Sequence, residues 1–105
     1  MKVLLDACVP RPWRRFLADH QVRVAQEMGW GQLKNGLLLK EAELQFDAFV
    51  TSDQNLKCQQ KVVGRKLAIL VLPTNDWPTI CLKAEEIASK VAALKSGDFV
   101  ELNWD

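Results

Sequence analysis

Leu67-Ala68-Ile69-Leu70-Val71-Leu72 is the most strand-like run in the chain: six apolar residues, two of them β-branched, bounded by Lys66 and Pro73. A strand with one wet face alternates apolar and polar residues, whereas this run is apolar throughout. That is the pattern of a strand buried on both sides, at home in a parallel sheet covered by helices. Upstream, Phe46-Asp47-Ala48-Phe49-Val50-Thr51 leads into a second such strand that ends at Ser52-Asp53. Earlier still, Val3-Leu4-Leu5 reads as a short buried strand ending at Asp6, and Val22-Arg23-Val24 alternates as another. Beyond the central run, residues 99–102 add an edge strand.

The stretches between these strands read as helices or loops. Pro10 and Pro12 open a helix through Trp13, Phe16 and Leu17, since a first helical turn tolerates proline's missing N–H. After a loop carrying Gly29 and Gly31, Asn35-Gly36 precedes a helix over residues 37–45, with Leu38, Ala42 and Gln45 on one face. A short helix through Leu56 and Gln60 stops at Gly64. Pro78 starts the longest helix, where Ile80, Ala84, Ile87, Val91 and Leu94 recur at steps of four and three, and Gly97 is its stop.

Strands alternating with helices imply right-handed crossovers and a mostly parallel sheet covered on both faces. The expected fold is therefore a three-layer α/β/α, Rossmann-like arrangement, and 105 residues fit one domain over residues 1–105. Ligands in such sheets bind outside the carboxyl ends of the strands. Asp6 and Asp53 each follow such an end, so two carboxylates far apart in sequence are expected on one edge of the sheet.

Composition narrows the function classes. With 49% hydrophobic and 26% charged residues, disorder is excluded. The apolar runs are too short to span a bilayer, and an acid at Asp6 interrupts any signal-peptide core, so a cytoplasmic protein without membrane contact is expected. Cys8, Cys58 and Cys81 are odd in number and widely spaced, and His20 is the one histidine. Structural zinc wants four ligands in close pairs, so buried or half-buried free thiols in a reducing compartment fit better. A net charge of +1 gives no broad footprint for nucleic acid, so any RNA contact must come from local basic groups.

Two carboxylates meeting in a cleft repel each other unless a cation or proton sits between them. Mg²⁺ and Mn²⁺ take hard oxygen ligands, commonly one or two carboxylates with waters and substrate phosphates, and they serve phosphodiester hydrolysis. Asn55, on the turn after Asp53, could add a carbonyl ligand. Asn35, at the start of the preceding helix, could point toward the same edge, and Glu41, Glu43 and Asp76 are candidates for a third carboxylate whose direction the sequence does not decide. Arg11, Arg14 and Arg15, with Lys57, are the candidates for phosphate contact. Each has a plainer role as well: Asp53 as a helix N-cap, Asn35 as a cap or turn residue, Glu41 and the arginines as solvated surface. Trp30 and Trp77 could stack on a base, although packing is their commoner use.

Leu4-Leu5-Asp6, then Asn35-Gly36-Leu37-Leu38 with Ala42, then Val50-Thr51-Ser52-Asp53-Gln54-Asn55-Leu56, followed by Ile69-Leu70-Val71-Leu72, resemble the compact PIN-like proteins often found in bacterial toxin–antitoxin operons. The resemblance covers residues 1–78. It implies a Mg²⁺- or Mn²⁺-dependent ribonuclease, a cognate antitoxin as partner, and Asp6 and Asp53 as the metal-binding acids. The chain departs from that pattern where Ala7 and Cys8 follow Asp6, and where Asn35 and Asn55 stand in place of common acids. A site with fewer negative charges holds metal more weakly, which leaves a second reading: a PIN-like module that binds RNA or protein without cutting. A third reading, a phospho-acceptor signalling domain, lacks an acidic neighbour for Asp6 and an evident lysine beyond a fifth core strand. A homodimer is left open.

Overall fold

A computed structural model describes residues 1–54, 56 and 65–103. Five strands form one sheet: β1 (Lys2–Leu5), β2 (Gln21–Val24), β3 (Ala48–Thr51), β4 (Ala68–Val71) and β5 (Phe99–Glu101). All neighbours are parallel, in the order β2-β1-β3-β4-β5. β3 and β4 are buried at every position, as their unbroken apolar runs require. Register pairs Leu5 with Val50 and Thr51 with Val71, so Asp6 and Asp53 both emerge at the carboxyl edge.

Alternate residues of the strands feed two cores. On one face Val3, Leu5, Val50 and Leu70 pack with Trp13, Leu17, Ile80, Ile87 and Val91. On the other, Leu4, Phe49, Ile69 and Val71 pack with Leu38, Leu39, Ala42 and Leu56. The result is a three-layer α/β fold.

Helix α1 (Asn35–Gln45) begins at Asn35 itself, two residues before the expected start. Lys34 takes the cap position without a side-chain cap bond, so Asn35 is not the cap. The segment opened by Pro10 and Pro12 is a 3₁₀ helix, Arg11–Leu17, rather than an α-helix. It buries Trp13 and Leu17 and leaves Phe16 exposed. The loop after β2 starts with a 3₁₀ turn, Ala25–Met28, closed by Gly29 at φ 76, where only glycine is unstrained. The helix predicted from Pro78 is two helices, α2 (Trp77–Leu82) and α3 (Ala84–Ala92), broken at Lys83. Gly97 does not stop it; at φ 86 it makes the turn into β5, with its amide on the Lys66 carbonyl. The expected helix through Gln60 to Gly64 lies outside the described residues, apart from Leu56.

The connections differ in hand. β2→β3 and β4→β5 step in the same direction across the sheet, yet α1 covers one face while α2 and α3 cover the other. Two such crossovers must have opposite hands. β1→β2 steps the other way and packs its 3₁₀ helix on the face opposite α1, so it shares the hand of β2→β3. Of these three connections the one into β5 is the odd one out, against the expectation that crossovers are right-handed.

Candidate functional site at the carboxyl edge

β1 sends the chain to β2 on one side, while β3 sends it to β4 on the other. The crevice between β1 and β3 is therefore where the strand order reverses, the place at which ligands bind in open α/β sheets. Asp6 and Asp53 flank it. The Asp6 amide extends the ladder beyond β1 by donating to the Val50 carbonyl at 2.9 Å.

One hydroxyl joins the two sides. Thr51, fully buried at the end of β3, donates its Oγ1 proton to Asp6 Oδ2 at 2.7 Å. The same oxygen accepts the Asp53 amide at 3.1 Å. Asp6 Oδ1 accepts the Ala7 amide at 2.8 Å, so both carboxylate oxygens are engaged. Cys8 closes the cluster: its Sγ lies 3.6 Å from Asp6 Oδ2 and from Thr51 Oγ1, and it accepts the Ser52 amide at 3.4 Å. Gln54 pins the loop from beneath, donating to the carbonyls of Ser52 and Leu72. Asp6 and Asp53 are each half-buried.

Thr51 is the one buried polar residue among the described residues, and sequence reasoning assigned it no role beyond its place in the stretch Val50-Thr51-Ser52-Asp53. The signal available was a hydroxyl ending an otherwise apolar strand. Cys8, expected only as a free thiol, is half-buried in the cluster; Cys81 is exposed, against expectation, and Cys58 lies outside the described residues.

The other candidates divide. Asp76, at the same edge, is an N-cap: its Oδ2 accepts the Thr79 amide at 3.2 Å and the Thr79 hydroxyl at 2.6 Å. Asn35 opens α1, which runs back from the carboxyl edge, so its backbone lies on the same side of the sheet as Asp6 and Asp53. Glu41 lies midway along α1, removed from that edge. Asn55 and Lys57 fall outside the described residues.

Arg14 is a structural clamp: it pairs with Glu27 at 3.1 Å and donates to the Val22 carbonyl at 3.2 Å. Glu27 also accepts the Val24 amide at 2.9 Å, and that bond, then Arg14, holds its carboxyl below the usual range. Arg15 is exposed and turns its Nε to the Pro12 carbonyl, and Arg11 is exposed where the 3₁₀ helix leaves β1.

No family model matches the chain, and neither the curated proteins nor the solved structures give a match.

Among the described residues, no group of three or more His, Cys, Asp and Glu side chains gathers as a metal set. The two aspartates, Asp6 and Asp53, remain beside the crevice as half-buried acids. That donor set is too small and too hard for structural zinc, and it suits a cation that keeps waters and substrate phosphates among its ligands, as Mg²⁺ does. Among the described residues no helix is long and apolar enough to cross a membrane.

Proposed function

We propose that the chain is a Mg²⁺- or Mn²⁺-dependent ribonuclease of the PIN-like class, working as the toxin of a toxin–antitoxin pair, with its site at Asp6 and Asp53. The observation that carries this reading is the Thr51 hydroxyl, which ties the Asp6 carboxylate to the Asp53 backbone in the crevice where the strand order reverses. Asp6 and Asp53 would hold the cation. When bound, it supplies an activated water and stabilises charge on the leaving oxygen of a phosphodiester. Thr51 holds the Asp6 carboxylate in place by donating to it, and Cys8 packs against the same oxygen. Arg11 at the start and Arg15 in the last turn of the adjoining 3₁₀ helix are exposed and would meet the RNA backbone.

The second reading is a PIN-like module that binds RNA or protein without cutting. Its support is that both Asp6 oxygens already accept protein hydrogen bonds, with no third acid gathered beside them among the described residues.

The deciding experiment measures Mn²⁺ binding by calorimetry and RNA cleavage with and without EDTA. EDTA-sensitive cleavage that Asp53→Asn abolishes supports the nuclease. RNA binding without cleavage supports the module. EDTA-resistant cleavage overturns the metal mechanism.

A further inference from the structure

Helix α1 lays Leu38, Leu39 and Ala42 on the sheet, but it leaves Leu37 54% and Leu44 76% exposed. These two leucines are seven residues apart, two helical turns, and so lie on one stripe. Between them on the same outer arc stand Lys40 and Glu41. Among the described residues neither side chain makes a hydrogen bond or ion pair, whereas that of Glu43, on the next position round, is taken by Arg65 at 3.4 Å and the Lys66 amide at 2.7 Å. Exposed leucines at heptad spacing, with two unpaired opposite charges centred between them, form an unpartnered face.

We propose that this face packs against the same face of a second copy of the chain, the two α1 helices antiparallel about a two-fold axis passing between Lys40 and Glu41. The order of the four residues selects this occupant. An axis that sets Leu37 opposite the partner's Leu44 also sets Lys40 opposite the partner's Glu41, and symmetry repeats both contacts. The patch is thus complementary to itself in shape and in charge. A parallel pairing would oppose lysine to lysine and glutamate to glutamate, so charge fixes the direction. One helix pair buries less than the roughly 1,200–2,000 Å² of a stable interface, so the dimer is weak and depends on concentration. The inference stands apart from the nuclease reading, since α1's outer face is separate from the Asp6–Asp53 crevice.

Sedimentation velocity on the full chain over a concentration series tests it. The parent forms a dimer that weakens with dilution. Leu44→Glu raises the dissociation constant by roughly a hundredfold, because two leucine contacts are lost per dimer. Lys40→Glu and Glu41→Lys each raise it about tenfold, by turning two attractive pairs repulsive. An equimolar mixture of those two single variants recovers the parent's affinity, since each supplies the charge the other needs. Thermal melts by circular dichroism verify that every variant folds. A chain that stays monomeric throughout the series overturns the proposal. So does a dimer indifferent to both charge changes, a mixture no tighter than its components, or a face occupied only when a different protein is added.

Discussion

Thr51 Oγ1 lies 2.7 Å from Asp6 Oδ2, a contact made possible because β1 and β3 are parallel neighbours whose ends coincide. Thr51→Val keeps the shape of the side chain and removes the hydroxyl. The buried end of β3 then loses a donor to a carboxylate and an acceptor for the Asp53 amide. The expected cost is about 2 kcal/mol in urea denaturation, and Thr51→Ser should recover most of it.

Asp6 and Asp53 separate under the same conservative change. Asp53→Asn keeps the shape of the side chain and removes its charge. It should remove the rise in melting temperature given by Mn²⁺. Asp6→Asn should lose that response too and also cost about 1–3 kcal/mol, since an amide cannot accept both the Thr51 hydroxyl and the Ala7 amide. A Mn²⁺ response that persists in both variants would remove them from the metal site.

Asp76 should behave as a cap and nothing more. Asp76→Ala is expected to cost about 1 kcal/mol through the freed Thr79 amide, with Mn²⁺ binding by calorimetry unchanged.

Glu27 makes a pH-dependent contribution whose sign follows from its lowered pKa. A carboxyl depressed in the native state stabilises the fold above its unfolded pKa, and that stabilisation fades as pH falls through the native value. Glu27→Gln should therefore lower stability near neutral pH, while the parent and variant converge in acid. Denaturation midpoints across pH check this; a gap that widens toward low pH contradicts it.

Trp13 is fully buried and donates its indole N–H to the Ala84 carbonyl at 3.2 Å, joining the first helical segment to α3. Trp13→Ala should cost about 3–5 kcal/mol, read by urea denaturation.

The sheet was legible because β3 and β4 are buried at every position and apolar up to Thr51, and the carboxyl-edge site because an aspartate follows each of two apolar runs. Other features leave no mark in periodicity. Ile80, Ala84, Ile87 and Val91 keep one buried stripe across the break at Lys83, so their spacing matches an unbroken helix. Trp13 and Leu17, four apart, match the repeat of an α-helix, so their spacing does not announce the 3₁₀ helix in which they lie. The Thr51 bond depends on the register of β1 against β3, and the Arg14–Glu27 pair on the turn after β2. Neither can be read from residues taken one stretch at a time. Which face receives α2 and α3 is decided by the hand of a crossover, which sequence alternation does not encode.

That last crossover carries a consequence for synthesis on the ribosome. The face of β1, β3 and β4 bearing Leu5, Val50 and Leu70 is roofed partly by the early Trp13 and Leu17, and partly by Ile80, Ile87 and Val91 near the other end of the chain. A nascent chain emerging amino end first can therefore lay α1 over the opposite face long before this one is closed. Until α3 has left the exit tunnel, the emerging polypeptide carries an uncovered apolar surface, and products terminated between β4 and α3 are the ones chaperones and proteases must intercept.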